Sequence, residues 1–134
     1  IDGDGAFLMN LCGLPTIALQ KPGNFIHLLF DNEVYEASGG TATASSVADA
    51  VTLAKGAGYP HARWVSTPKE FRLEFVDAWR RNELTLIAVK VEPGQPKDLP
   101  PLRLDELENK YRFMRYLETT EKRGILSPGF DSKT

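Results

Sequence analysis

Two stretches near the start decide the fold: Ile1-Asp2-Gly3-Asp4-Gly5-Ala6-Phe7-Leu8-Met9 and Phe25-Ile26-His27-Leu28-Leu29-Phe30-Asp31-Asn32. Ile1 and Asp2 read as the last residues of a β-strand whose beginning is absent, so the sequence is expected to be a fragment or an excised domain. The surface beside that strand would then need cover from another chain. Phe25 to Phe30 is a short, continuous apolar run, which suits a strand buried on both faces of a parallel sheet. Between them, Ala6 to about Gln20 is mostly apolar and reads as helix, with Leu8, Leu11, Cys12, Ile17 and Leu19 turned inward. Gly13 and Pro15 predict a kink or break in it, and Lys21-Pro22-Gly23-Asn24 is a turn.

Working outward, Asp31 to Ser45 reads as loop around Gly39-Gly40. Ser45 or Ser46 is expected to cap a helix with Asp49 in its first turn. Val47, Ala50, Val51 and Ala54 recur there at helical spacing, and Gly56 or Gly58 ends it. His61 to Ser66 reads as a strand. Thr67, Pro68 and Glu70 form a capping-box signature for a helix to about Arg81 that buries Phe71, Phe75, Val76 and Trp79. Leu84 to Val91 is a strand by its branched and large apolar residues. Glu92 to Pro101 is a Pro-rich extended connection. Asp105 to about Lys122 is an amphipathic helix with Leu107, Tyr111, Met114 and Leu117 on one stripe, and the tail after Gly124 is expected to be loosely held. Strands that alternate with helices predict right-handed β-α-β units: an α/β three-layer sandwich on a mostly parallel sheet, its N-terminal part missing.

Composition narrows the function classes. At 134 residues there is material for one domain, and 42% hydrophobic residues suffice for a single core. The formal net charge of -2 and the lack of a basic stripe argue against nucleic acid. No apolar run has the length of a membrane span. One cysteine, Cys12, rules out an internal disulfide and fits a reducing, cytoplasmic compartment.

In parallel sheets ligands bind beyond the carboxyl ends of the strands. Gly3-Asp4-Gly5 and Asp31-Asn32 both fall at such ends. The glycines allow a tight turn and close backbone approach, and the amides of Gly5 and Ala6, at a helix N-terminus, suit a phosphate group. Asp4, the side-chain oxygen of Asn32 and the carbonyl of Val34 make a hard oxygen set suited to magnesium, which shares its ligands with phosphates. Bland readings stand beside these: Asp4 as a helix cap and Asn32 as a turn residue in left-handed geometry. Glu36 and Ser38 follow on the loop at the mouth. His27 reads as a packed or interface histidine, His61 as surface, and Met9 and Cys12 as core. Arg80-Arg81 and Glu121-Lys122-Arg123 read as solvated faces, and Trp64 and Trp79 as packing or interface aromatics.

The stretch from Asp2 to Gly40, DGDGAFLMNLCGLPTIALQKPGNFIHLLFDNEVYEASGG, resembles the diphosphate-binding domain of thiamine diphosphate enzymes. Their fingerprint is Gly-Asp-Gly followed, one helix and one strand later, by Asn-Asn. The resemblance implies that Asp4, Asn32 and the Val34 carbonyl hold Mg2+, and that Gly3, Gly5 and Ala6 lie beside the diphosphate. Asp31 stands where the family has its first Asn, and Pro15 departs from the helix that follows the motif. Leu14 to Leu19, Lys21 to Asn24, Glu36 to Gly40, Ala54 to Tyr59 and Val89 to Gly94 resemble the sulfopyruvate and phosphonopyruvate decarboxylases in particular. The resemblance implies a cofactor-binding domain over 1–95 and a connection with a C-terminal helix over 96–134. It also implies a 2-oxoacid substrate, and thiamine diphosphate as carrier of the chemistry. The activating glutamate would come from a separate pyrimidine-binding domain or subunit, which leaves the catalytic residue unknown here, the chain inert alone and the enzyme oligomeric. The alternative from another class is a non-catalytic α/β binding or assembly module with a degenerate cofactor or nucleotide site. A dinucleotide site would want a third glycine, which Gly3-Asp4-Gly5-Ala6-Phe7-Leu8 lacks.

Overall fold

The computed structural model describes residues 1–94, 98, 105–122 and 124. The chain divides into two compact units, Ile1–Gln95 and Pro96–Thr134.

The first unit is built on a four-stranded sheet. Its strands are β1 (Asp2–Gly3), β2 (Ile26–Asp31), β5 (His61–Val65) and β6 (Thr85–Lys90), in the spatial order β1-β2-β6-β5 and parallel throughout. Helices α1 (Asp4–Met9), α2 (Gly13–Gln20) and α3 (Ala50–Gly56) cover one face, packing Phe7, Leu14, Val51 and Ala54 on Leu29, Ala62, Leu86 and Ala88. Helix α4 (Pro68–Arg81) covers the other, packing Ala78, Phe71 and Phe75 on Val65 and Ile87. The three-layer α/β sandwich expected from the alternation of elements is therefore present.

The predicted double-sided burial belongs to β6, the central strand, where Thr85, Leu86, Ile87 and Ala88 are all buried. In β2 burial alternates instead. His27, Leu29 and Asp31 are buried beneath the first helical layer, while Ile26, Leu28 and Phe30 stay half-exposed. The reason is coverage: α4 packs chiefly on β6, and on that face Ile26, Leu28 and Phe30 of β2 reach its apolar cluster without being fully covered by it. Phe25 precedes the strand and is exposed.

The break at Gly13 and Pro15 comes slightly earlier, at Asn10 to Cys12, and it resets the helical phase. Phe7 and Leu14 become the buried residues. Met9, Cys12 and Leu19 point to solvent, against their expected place inside, and Leu8, Leu11 and Ile17 are half-buried. The segment after Asn32 is more than a loop. β3 (Val34–Tyr35) pairs antiparallel with β4 (Thr41–Ala42) around a 3-10 turn at Glu36–Ser38, with Gly39 and Gly40 at positive φ. A second 3-10 turn, Ala44–Ser46, is capped by Thr43. Helix α3 then starts at Ala50, and its cap is Asp49, whose carboxylate accepts from the Thr52 amide at 2.6 Å. Ser45 and Ser46 do not cap it, and Val47 is exposed because it precedes the helix. Bonds from Thr52 and from the Trp64 indole (2.8 Å) hold Asp49 below the usual carboxylate range.

The Thr67–Glu70 capping box forms as read, with Pro68 in the first turn. The buried residues of α4 are Glu74 and Ala78. Trp79 is 72% exposed and Val76 is exposed too, while Phe71 and Phe75 are half-buried. These aromatics stack in a row, Phe30–Phe71–Phe75–Trp79, with centroids 6.4, 6.1 and 6.3 Å apart, along the rim that no other described helix of this unit covers. Glu74 is buried against Arg63 (2.9 Å) and Arg81 (3.2 Å), so Arg81 is half-buried in an ion-pair network and only Arg80 is a solvated face.

His27 packs as expected. Its Nε2 lies 2.8 Å from Asp2 Oδ2 and its Nδ1 3.4 Å from the Tyr59 hydroxyl. Desolvation, with the Asp2 charge adding to it, pushes the Tyr59 phenol up to about 12 from an ordinary 10.0. A folded-state value above the unfolded one stabilises fully below pH 10.0 and is lost as pH rises toward 12. Tyr59→Phe should therefore flatten the fall in urea-unfolding stability over that window. It should also remove a phenol that ionises near pH 12 from an alkaline absorbance titration.

The second unit holds α5 (Glu106–Glu121), capped by Asp105, which accepts from the Leu107 amide at 2.8 Å. Met114 and Leu117 are half-buried; Leu107 and Tyr111 are exposed. Most of the Pro-rich connection and of the tail lies outside the described residues. Among the described residues, no helix is long and apolar enough to cross a membrane.

Candidate functional site

Sheet register brings the two sequence motifs together. Gly3 pairs with Phe30 across β1 and β2, so the chain leaves adjoining strand ends at Asp4 and at Asp31-Asn32, one strand spacing (~4.8 Å) apart. A cleft of about 600 Å3 opens there. Gly3, Asp4, Gly5, Ala6, Asn32 and Val34, the six residues singled out in the sequence, all line it. Tyr35, Glu36 and Ser38 form its mouth.

Asp4 opens α1 but does not cap it. The cap position is Gly3, and no side chain among the described residues bonds the free amides of the first turn. Asp4 as a whole residue is 3% exposed. One oxygen, Oδ2, accepts a hydrogen bond from the Thr43 hydroxyl, and the other takes no bond among the described residues. A carboxylate that lines a cleft and keeps one oxygen uncommitted is a hard donor of the kind a cation such as magnesium takes. The amides of Gly5 and Ala6 follow in the same first turn. Gly5 must lack a side chain because a Cβ there would sit 2.2 Å from Tyr35 Cε1.

The second loop is held by its own side chains. Asn32 Oδ1 accepts from the Val34 amide at 3.1 Å, so the turn role is real, and the oxygen keeps a second lone pair. The residue in left-handed geometry is Glu33 (φ 62), not Asn32. Asp31 Oδ1 accepts from the Glu33 amide at 3.2 Å, and Asp31 Oδ2 lies 2.8 Å from Lys90 Nζ. The Lys90 ammonium also contacts Glu33. Glu36 accepts from the Gly94 amide, which ties the mouth of the cleft to the chain leaving β6.

Sequence reasoning missed Thr43, Tyr35 and Lys90. Thr43 links the two motifs, for its amide bonds the Glu33 carbonyl at 2.9 Å while its hydroxyl bonds Asp4. It sits in a run of small polar residues with no periodicity to single it out. Lys90 carried a faint signal, a charge closing an apolar strand. Another cleft, of about 530 Å3, lies where β2 begins, lined by Gly23, Asn24, Ile26, Phe75, Trp79 and Asn82. None of its lining residues is ionisable, so it offers no carboxylate to hold a metal ion.

The profile of the family described as thiamine pyrophosphate enzyme, C-terminal TPP binding domain, matches residues 1–89. The chain belongs to this family. That thiamine pyrophosphate-binding domain covers all of the sheet except the last residue of β6, and both motif loops. Among curated proteins the chain is 30% identical over 128 residues to phosphonopyruvate decarboxylase of Streptomyces viridochromogenes, covering 96% of this chain and 32% of that protein. It is 36% identical over 115 residues to sulfopyruvate decarboxylase subunit beta of Methanothermobacter thermautotrophicus, covering 86% of this chain and 59% of the relative. The corresponding subunit of Methanocaldococcus jannaschii is 34% identical over 123 residues, with 88% and 62% covered. The chain thus spans from 32% to 62% of the length of these relatives.

Proposed function

We propose that this chain supplies the diphosphate- and magnesium-binding half of the active site of a thiamine diphosphate-dependent 2-oxoacid decarboxylase, with 1–95 as the cofactor domain and 96–134 as a connection and C-terminal helix. The observation that carries the reading is the cleft shared by both motifs, with the free oxygen of buried Asp4 on its wall. In this reading Asp4, Asn32 and the Val34 carbonyl hold Mg2+, and the amides of Gly5 and Ala6 donate to the diphosphate. Asp4 provides the charge, Thr43 fixes its rotamer, and the Asn32–Val34 bond keeps the amide oxygen and the neighbouring carbonyl in one turn. Bound there, the cofactor supplies the electron sink that accepts the pair released as carbon dioxide leaves.

The names of the relatives support sulfopyruvate or phosphonopyruvate as the oxoacid, and the beta-subunit relatives support a separate partner bearing the pyrimidine-binding domain and its glutamate. The site needs that partner, so the chain alone is inert and the enzyme is an oligomer. The exposed thiol of Cys12 suits a reducing cytoplasm. Calorimetric titration tests the cofactor reading. Thiamine diphosphate should bind with magnesium and not with EDTA, and NAD or ATP should bind far more weakly. Magnesium-indifferent binding, or a preference for either nucleotide, would defeat it.

A further inference from the structure

Asp31 is a buried carboxylate one residue before Asn32, its side chain 2% exposed. An isolated charge in that place is costly, and the usual remedy is a close counter-ion. Lys90 provides it from the neighbouring strand. It is the register partner of Asp31 across β2 and β6, and the Val91 amide bonds the Asp31 carbonyl at 2.9 Å, fixing the two backbones together. The ammonium lies 2.8 Å from Asp31 Oδ2, contacts Glu33, and is set 5.5 Å from the centre of the Trp64 ring. One cation therefore grips both residues that flank Asn32. Partial burial alone would weaken the Lys90 charge, but its bonds to Asp31 and Glu33 outweigh that and hold it above the ordinary lysine range.

We propose that Lys90 is a positioning residue for the cofactor-metal site. It neutralises Asp31 and pins the Asp31–Glu33 turn, so that Asn32 and the Val34 carbonyl are aimed into the cleft. The inference rests on the reading of that cleft as the diphosphate site. It accounts for an acid at position 31 where the family fingerprint has a neutral Asn: the buried acid needs the lysine, whereas the half-exposed lysine keeps Glu33 as a partner without the acid.

The pair predicts a specific pattern of rescue. In the full chain assembled with its partner, magnesium-dependent affinity for thiamine diphosphate is measured by titration for the wild type, Lys90→Met, Asp31→Asn and the double variant, with urea midpoints alongside. Lys90→Met should weaken binding by roughly tenfold or more, the usual effect of losing a group that orients a metal ligand. Asp31→Asn, which keeps the acceptor for the Glu33 amide, should change affinity by less than about threefold, and so should the double variant, in which no buried charge is left unpaired. Should Lys90→Met fail to fold, the double variant still decides: folded with near wild-type affinity, it supports the pairing; folded with affinity as poor as roughly tenfold down, it overturns it. Unchanged affinity in Lys90→Met overturns the positioning role and leaves the cofactor reading intact. Lack of binding by the wild type overturns both.

Discussion

Asp4→Ala should leave the fold standing and abolish magnesium-dependent binding of thiamine diphosphate. The stability side is small because, among the described residues, the Asp4 side chain has a single hydrogen bond to lose, from Thr43. Such a bond contributes about 0.5–1.5 kcal/mol net, and removing a buried carboxylate recovers part of it. Thr43 is not stranded, since its hydroxyl also lies 2.9 Å from the Ser45 hydroxyl. The binding side is large because Asp4 is the charged member of the proposed oxygen set. A cation held by an amide and a carbonyl alone forgoes several kcal/mol of charge stabilisation, which is on the order of a hundredfold or more in affinity. Thermal unfolding with and without cofactor and magnesium separates the two sides. The variant should melt near the wild type without ligand and should not respond to it. An equal ligand-induced rise in both proteins would remove the metal role from Asp4.

What could be read from the sequence was what short-range chemistry fixes. The Thr67–Glu70 box, the turn at Lys21 to Asn24 and the alternation of apolar strands with helices each depend on a few neighbouring residues, and together they dictate a parallel three-layer sandwich. The six cleft residues were legible for the same reason. A glycine-flanked acid at one strand end and an amide at the next need only the sheet to bring them together. The errors are equally physical. A break of a few residues between α1 and α2 rotates every later position around the helix axis, which turned Leu19 outward; Cys12 lies in the break itself, and Met9 ends α1 on its solvent side. Asp49 outcompeted Ser45 and Ser46 as the cap because Thr43 draws those serines into a 3-10 turn aimed at Asp4. Val76 and Trp79 stand out from the sheet because one helix cannot roof four strands. Thr43 to Asp4 spans 39 positions and Lys90 to Glu33 spans 57, so neither contact leaves a local pattern to read.

Gly5→Ala tests whether the close approach of α1 to the Tyr35 ring depends on one missing methyl group. Gly5 lies in the first turn of α1 without a left-handed backbone, so conformational strain is not the issue and alanine, judged by helix propensity alone, should stabilise by about 1 kcal/mol. Space opposes it. The added Cβ would stand 2.2, 2.6 and 3.1 Å from Cε1, Cδ1 and Cζ of Tyr35, closer than packed carbons tolerate. Either α1 or the Tyr35 ring must shift, and overpacking of this kind costs about 1–3 kcal/mol. Because Tyr35 itself lines the cleft, the displaced ring falls where the diphosphate is proposed to lie. Gly5→Ala is therefore expected to lower the urea midpoint and to weaken cofactor binding by roughly tenfold, the effect of about 1.4 kcal/mol. The decisive comparison is the same change in a Tyr35→Ala background. With the ring gone, only the helix-propensity gain remains, so the sign of the stability change should reverse. An equal loss in both backgrounds would mean that Tyr35 is not what excludes a side chain at position 5, and the constraint would have to come from the turn between β1 and α1.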